Sequence, residues 1–424
     1  MPHLVDAVIA RTPEVLRQGA QISAGRAVLL LNDRLRGDVV SRIFRTPGNP
    51  DPYAAYERLR AQGPVVKSPL GLYAITGHAL TSEVLRSRSY GVSPPPGAGP
   101  SHLDSIELDL SLLERDPPDH TRLRRLVAPA FSPRRLAQYD DLIRATTAGL
   151  LRDLPRGEPF DLVDRLAGPL PVAVITEMLG IPPKDRAHFR EHGGAIAAVL
   201  DGYRSVGHRR RVLRGQRELH GIFERLIALR RREPTDDIVS ELAAAGPAEI
   251  TPAELLSLCQ LLLIAGFETT VNLIGNAVLA LQRHPDQWRL LVAEPQRAGA
   301  AIEETLRYDP PVQVTGRIAH QDTELAGRHI SRGSYVVAFI AATGRDPDVH
   351  RRQDEFDVTR TPDADHLAFS AGAHYCLGAP LARLEAATAL RELAAACPDL
   401  RLAGSVTLRP TVTLRGPLHV PVTA

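Results

Sequence analysis

This chain has few lysines and a small net charge. Of its 51 basic residues, only Lys67 and Lys184 are lysines, which indicates a compositional bias more than a function. Basic residues number 51 and acidic residues 49, so the formal net charge is only +2. Without a strong field of one sign, we expect neither nucleic acid nor an anionic membrane as a partner.

Cysteine is also rare. Cys259, Cys376 and Cys397 are an odd number in 424 residues, which does not suit a disulfide framework and favours a reducing compartment. The N-terminus lacks a basic region followed by a long apolar stretch, and the apolar residues 27–31 are too few to span a bilayer. We therefore expect no signal peptide, no membrane association and a cytoplasmic protein.

Helical periodicity is what the chain has in abundance. Residues 1–50 form a helical lead-in that ends at a proline-rich break, and residues 137–300 are almost wholly helical. Short strand signals occur at 65–76, 323–340, 406–408, 412–414 and 419–422. The sequence predicts a mainly α fold with small β-sheets, in a single domain over residues 1–424, and not a doubly wound α/β protein.

One helix is much longer than the others. Thr251 and Glu254 form a capping box with Pro252 at the first helical position, and the pattern continues to about His284. Some 34 residues correspond to about 50 Å, which is enough to cross a whole domain. Because the helix is apolar on nearly every face, we expect it to be buried centrally. Polar residues in its middle, Gln260 and Asn272 among them, argue against a membrane span.

The middle of this helix carries an unusual group of residues. Gly266 costs about 1 kcal/mol relative to alanine in a helix interior, and it leaves room for something to lie flat against the backbone. Glu268 and Thr269 place an acid and a hydroxyl in an apolar setting, where a buried carboxylate is expensive unless it is paired or functional. The alternative is a helix kink with a satisfied polar patch.

A second unusual group surrounds Cys376. This thiol lies between Gly372 and Gly378, just ahead of a helical run. Glycine permits positive φ and close approach, and the amides and dipole at a helix start favour a thiolate. Such a loop suits a nucleophile or a metal ligand. The alternative is a buried cysteine that behaves as a small hydrophobe.

The order and spacing of these groups resemble one known family. The stretch Ala265-Gly-x-Glu-Thr-Thr is followed by Glu304-x-x-Arg307 and then by Phe369-x-x-Gly-x-His374-x-Cys376-Leu-Gly. This set is similar to the bacterial cytochrome P450 family of haem-thiolate monooxygenases, and the resemblance covers nearly the whole chain. It implies the P450 fold, with the long helix crossing the domain, and haem b whose iron is ligated by the Cys376 thiolate.

The resemblance also implies roles for individual residues. Residues similar in position to the ligands of the haem propionates are His120, Arg124, Arg317 and His374. Further contacts with the haem are implied for Ala265, Phe369 and Gly378. On the other face, Gly266 is implied to leave a groove for dioxygen, Thr269 to hydrogen-bond during oxygen activation, and Glu268 to relay protons. Glu304 and Arg307 are implied to form a structural pair that also meets Arg360.

The implied reaction inserts one oxygen atom of O2 into a lipophilic small molecule, by hydroxylation or epoxidation, while the other leaves as water. Electrons are expected from NAD(P)H through a ferredoxin and its reductase, with the chain acting as a monomer. An acidic ferredoxin is expected to dock on Arg122, Arg125 and Arg134. The segments expected to line the substrate pocket are residues 91–101, 196–203, 261–265, 312–315 and 410–412.

Two alternative functions stay open, and two residues depart from the family pattern. A peroxide-driven haem enzyme is disfavoured because such relatives tend to lack the acid–threonine pair. A non-catalytic haem-binding or sensor protein needs no proton relay. Ser370 stands where the family usually has glycine, and Gly344 stands where it usually has asparagine before Arg-Asp.

Overall fold

Helices dominate the computed structural model, which describes residues 14–96, 109–155, 157–186, 196 and 198–424. In chain order its α-helices are α1 (Glu14–Arg36), α2 (Val39–Arg45), α3 (Tyr53–Arg60), α4 (His78–Arg86), α5 (Asp119–Val127), α6 (Pro133–Arg152), α7 (Pro169–Met178), α8 (Val206–Arg232), α9 (Ile238–Ala243), α10 (Pro252–Arg283), α11 (Pro285–Ala293), α12 (Ala298–Tyr308), α13 (Ile340–Thr343) and α14 (Ala379–Ala396). The prediction of a mainly α fold with small β-sheets is confirmed. Residues 1–13 of the predicted lead-in lie outside the described residues.

The strands are short and form small sheets. In chain order they are β1 (Val66–Lys67), β2 (Tyr73–Ile75), β3 (Tyr90–Gly91), β4 (Phe160–Asp161), β5 (Thr315–Ala319), β6 (Thr323–Leu325), β7 (Arg328–Ile330), β8 (Tyr335–Ala338), β9 (Arg401–Leu402), β10 (Thr407–Leu408), β11 (Pro417–His419) and β12 (Pro421–Thr423). The largest sheet has the order β1-β2-β8-β5-β3, in which β2 and β8 run parallel and the other neighbours antiparallel. The smaller sheets are β4-β12-β9, β10-β11 and β6-β7.

The prediction of a strand at 412–414 is wrong. The backbone N–H groups of Val412 and Thr413 donate to the two carboxylate oxygens of Asp201, at 2.6 and 2.7 Å. Leu414 forms only an isolated bridge with Val312. A side chain from a distant part of the sequence therefore takes the donors that a β-ladder requires.

Helix α10 forms the centre of the largest hydrophobic cluster. Its 32 residues span about 48 Å, and the predicted capping box of Thr251 and Glu254 is present. The helix is long and apolar enough to cross a membrane, but 83% of its most apolar window is buried inside the protein. Helices α7, α8, α12 and α14 pack against it. Its apolar surface is thus covered by protein, as the sequence predicts.

A buried ion network ties α12 to the irregular segment that follows α13. The Arg307 guanidinium makes two bonds of 2.8 Å to the Glu304 carboxylate, and Arg360 approaches the same carboxylate at 3.1 Å. Arg307 also donates to the carbonyls of Gly344, Gln353 and Glu355 at 2.7, 2.8 and 2.7 Å. The structure thus shows the predicted pairing. Each of the five N–H groups of the Arg307 guanidinium has an acceptor in this network.

We expect Arg307→Met to lower the free energy of unfolding by about 3 kcal/mol, because one partner of a buried, hydrogen-bonded ion pair is removed. Urea unfolding followed by far-UV circular dichroism measures the change. Arg144→Met is the matched control, since Arg144 pairs with Asp140 on the exposed face of α6 and its loss should have little effect. Equal midpoints for the two variants would contradict a stabilising role for the network.

Candidate functional site

Two residues are exposed at places where the surrounding structure is buried. On α10, Ala265 is exposed, although residues 255–263 and 270–281 of the same helix are buried. Cys376 is also exposed, and it lies three residues before α14, which packs against α10. Exposed side chains at positions inside a packed helical core indicate that each borders a cleft.

The loop before α14 has a fixed backbone shape. The Cys376 N–H donates to the Phe369 carbonyl at 2.9 Å. Gly372 has φ +68, and a Cβ there would lie 2.4 Å from the Leu85 carbonyl oxygen, so only glycine fits. Gly378 has an ordinary φ of −82, and its Cβ would meet the Phe131 ring at 3.9 Å. Of the two glycines that flank Cys376, Gly372 alone is required by backbone geometry.

Both departures from the family pattern have a structural explanation. Ser370 has φ +64, the left-handed conformation that glycine adopts readily, so the turn keeps its shape at a cost of about 1–2 kcal/mol. A Cβ at Gly344 would lie 1.9 Å from the Arg307 carbonyl oxygen. Here α12 approaches the backbone so closely that a side chain is excluded.

The expectation of a stabilised thiolate at Cys376 is not met. Burial raises the pKa of the Cys376 thiol, and this effect outweighs the N–H groups of Gly378 and Ala379 and the charges of Arg124 and Arg383, which lower it. The sulfur is therefore exposed to a cleft narrow enough to desolvate it. Helix-start amides favour the charged form, but desolvation is larger here. The thiol is protonated at neutral pH unless a metal ion displaces the proton.

Two of the predicted propionate ligands, His120 and His374, lie side by side. Their ring centroids are 4.3 Å apart. Burial, together with the neighbouring His374 and Arg124, lowers the pKa of His120 to about 4, so His120 is neutral at pH 7. The Nε2 atom of His374 lies 3.5 Å from the Asp116 carboxylate, within ion-pair distance, but without hydrogen-bond geometry.

The two predicted arginine ligands are held in place by neutral partners. Arg124 donates to the Tyr375 carbonyl at 2.8 Å, one residue before the cysteine. The buried Arg317 donates to the Gly316 carbonyl at 2.8 Å and to the hydroxyls of Thr315 and Ser370 at 3.3 and 3.4 Å. Burial lowers the pKa of Arg317. Within the described part of the chain, neither arginine forms an ion pair with a carboxylate.

Asp116 is a member of this cluster that the sequence did not single out. Its carboxylate accepts hydrogen bonds from the Val92 and Ser93 N–H groups at 2.9 and 2.8 Å. Burial alone would raise its pKa, but the neighbouring His374 imidazole and the N–H groups of Ser93 and Val92 hold the pKa well below its usual range. The only sequence signal was its place in the Asp-Pro-Pro-Asp-His stretch. Asp116 thus connects the segment after β3 to the cysteine loop.

Glu268 is paired with a residue that the sequence analysis missed. Its carboxylate lies 2.6 Å from Nη1 of Arg409, whose Nε also donates to the Asn272 side chain at 2.9 Å. Burial raises the pKa of Glu268, while Arg409 lowers it. Arg409 follows β10, and no local pattern indicated that its side chain would reach the middle of α10.

The hydroxyl of Thr269 donates to the Ala265 carbonyl at 3.0 Å and leaves its lone pairs available. At Gly266, a Cβ would lie 3.0 Å from the Ile175 side chain on α7. Close packing of α7 on α10 therefore favours glycine here independently of any ligand. The groove for dioxygen at Gly266 stays a prediction.

The three arginines predicted to dock a ferredoxin differ in their surroundings. Arg122 bonds to Glu254 at 2.6 Å, to Asp119 at 3.0 Å and to a backbone carbonyl at 2.7 Å. Arg125 and Arg134 are exposed, and neither has a charged partner among the described residues. Only these two have charge available for another protein.

The predicted pocket-lining segments do not converge on one pocket. Five apolar residues, Leu110, Ile196, Leu219, Leu261 and Ile264, line one small pocket together with Asp109, Gln216 and Gln260. Gln313, Thr411 and Val412 instead line a second pocket. Among the described residues, neither pocket is lined by the cysteine loop. Residues 97–101 and 197 of the predicted lining lie outside the described residues.

Known proteins resemble this chain in sequence and in fold. The family model for cytochrome P450 matches residues 203–394. The putative cytochrome P450 140 of Mycobacterium tuberculosis is 37% identical over 411 residues, which cover 92% of each chain. The vitamin D(3) 25-hydroxylase of Pseudonocardia autotrophica is 37% identical over 88% of this chain and 94% of its own.

Solved structures of cytochromes P450 also resemble this chain. Ligand-free CYP164A2 of Mycobacterium smegmatis has a TM-score of 0.82 and 36% identity, over 91% of this chain and 99% of its own. Long relatives at this identity establish the family. The chain is therefore a member of the cytochrome P450 family of oxidoreductases.

Proposed function

We propose that this protein is a haem-thiolate monooxygenase with Cys376 as the iron ligand. The observation that carries the proposal is the buried Arg317, which contacts Ser370 of the cysteine loop and has no carboxylate within ion-pair distance in the described part of the chain. Only the more distant charge of Asp116 acts on it. A buried cation without an anion is costly, and His374, Arg124 and His120 lie around the same loop. This donor set fits the two propionates of haem b.

Haem bound here would supply oxygen activation, so that one atom of O2 enters the substrate and the other leaves as water. The residues of this chain would hold and tune the group. Cys376 would ligate the iron as a thiolate, and the N–H groups of Gly378 and Ala379 would donate to its sulfur. Arg317, Arg124 and the two histidines would provide the cationic and donor groups for the propionates.

Proton delivery is proposed for α10. The Thr269 hydroxyl donates a hydrogen bond to the Ala265 carbonyl. Its oxygen can at the same time accept a hydrogen bond from a neighbouring proton donor. The Glu268 carboxyl has a pKa raised by burial, which brings it closer to the range where a group both takes and gives protons at neutral pH. Arg409 holds this carboxylate in place and limits the rise of its pKa.

We further propose a ferredoxin and its NAD(P)H-dependent reductase as electron donors, a lipophilic substrate, and a monomeric, single-domain, cytoplasmic enzyme. The acid and hydroxyl on α10 favour this mechanism over peroxide-driven chemistry, which needs no proton relay. The small pocket beside Leu261 and Ile264 has mostly apolar walls, which supports a lipophilic substrate.

Cys376→Ser should abolish the red-shifted absorption band of the ferrous carbon monoxide complex, because serine offers no thiolate. Absorption spectra of reconstituted protein measure this change. Cys397→Ser is the matched control, since Cys397 is buried at the end of α14, away from the loop, and the band should persist. Retention of the band in Cys376→Ser would refute the proposed ligand.

Thr269→Ala should lower the product formed per NAD(P)H consumed by about tenfold, because a group that helps to position protons is lost. The substrate for this assay is a library compound that shifts the ferric haem spin state. Thr269→Ser keeps the hydroxyl and should retain most of the coupling. Unchanged coupling in the alanine variant would contradict the proposed role of Thr269 in proton delivery.

The double variant Arg125→Glu/Arg134→Glu should slow reduction by an acidic ferredoxin about tenfold at low salt, because charge complementarity steers the encounter. Stopped-flow spectroscopy measures the rate, and reduction by dithionite should be unchanged. Arg210→Glu/Arg214→Glu on α8 makes the same change in net charge and is the control. An equal rate in both double variants excludes this docking face.

A further inference from the structure

Gln260 is a buried polar side chain that the proposed mechanism does not use. It lies on α10 and is only 8% exposed, yet its Nε2 has no hydrogen-bond partner within the described ranges. A buried amide donor without a partner is costly, so such groups in proteins are nearly always satisfied. Gln260 also lines a small pocket between α8 and α10 that has room for about one water molecule. A substrate oxygen that reached this point would take the place of that water.

Helix α10 sets the distance between Gln260 and the exposed Ala265. Leu261 and Ile264 also line the pocket, and Leu261 is an i,i+4 neighbour of Ala265 on one face of α10. Gln260 lies five residues before the exposed Ala265, which corresponds to a rise of about 7.5 Å along the helix. A substrate that extended along α10 from Ala265 would pass Ile264 and Leu261 before it came level with the Gln260 amide.

The charges around the pocket restrict which group the amide binds. Asp109 lines the pocket, but its carboxylate is held by both terminal nitrogens of Arg115, at 3.0 and 2.9 Å. No arginine or lysine is among the described residues that line this pocket. A carboxylate on the ligand would thus find no free cation there and would face the charge of Asp109.

We propose that Gln260 donates a hydrogen bond to an uncharged oxygen acceptor of the substrate, a carbonyl or a hydroxyl, at the end away from the oxidised carbon. The inference rests on the proposed function, because it takes this pocket as the substrate site. Gln216, which lines the same pocket, offers a second amide at its rim. The proposal narrows the substrate class to lipophilic molecules with a neutral oxygen at one end and disfavours simple fatty acid carboxylates.

The test uses probes that bind the haem iron directly. Ferric haem is titrated with 1-decylimidazole and with four analogues that carry a ketone at the fifth, sixth, seventh or eighth carbon. Imidazole nitrogen is a good iron ligand, so the shift of the main haem absorption band reports binding for every probe. We expect at least one ketone to bind the wild-type protein about tenfold more tightly than it binds Gln260→Leu, the change that loss of one buried hydrogen bond gives. The parent 1-decylimidazole should bind both proteins alike.

Two further variants complete the experiment. Gln260→Met keeps the length of the side chain and should behave as Gln260→Leu, which covers the case in which the leucine variant does not fold. Gln282→Leu, on the same helix but outside the pocket, should keep the ketone preference. If no ketone is preferred by the wild-type protein, or if the preference survives in both Gln260 variants, the inference is wrong. Absence of the thiolate band in the wild-type carbon monoxide complex would instead overturn the proposed function itself.

Discussion

Burial of a 32-residue apolar helix is the constraint on which the rest of this structure depends. Helix α10 is apolar on nearly every face, so helices must cover it from several sides. Because so much of the helix is covered, an exposed residue in its middle indicates a place where packing is interrupted, and such an interruption is costly in a packed core. The gap lies at Ala265, beside the acid and the hydroxyl of Glu268 and Thr269. The core and the site are therefore two aspects of one packing problem.

Two buried arginines differ in how far the protein itself satisfies them. Arg307 has a carboxylate and three carbonyls as partners, and its network is complete. Arg317 is equally buried but has only a carbonyl and two hydroxyls at hydrogen-bond distance among the described residues. Residue type and burial are the same in both cases. What differs is whether the protein itself supplies the compensating anion.

Local patterns were sufficient for the features that depend on neighbours in sequence. The capping box at Thr251, the length of α10 and the pairing of Glu304 with Arg307 all follow from spacings of three or four residues. Contacts between distant segments were not predictable in this way. Arg409 reaches Glu268 across 141 positions of sequence, and Asp201 removes the donors of the strand predicted at 412–414. The pKa of Cys376 was expected to fall but rises, because desolvation depends on the whole enclosure and not on the helix start alone.

Ser370 shows when the shape of the cysteine loop is established. A serine with φ +64 does not adopt this conformation by its own preference, so the surrounding bonds impose it. Two of them are the Ser370 N–H to the Leu367 carbonyl at 2.8 Å and the Cys376 N–H to the Phe369 carbonyl at 2.9 Å. Both are made within the polypeptide. The conformational entropy of shaping the loop is thus lost during folding. Under the proposed ligation of haem iron by Cys376, it would not be lost again when the cofactor binds, and more of the bond energy would remain as affinity.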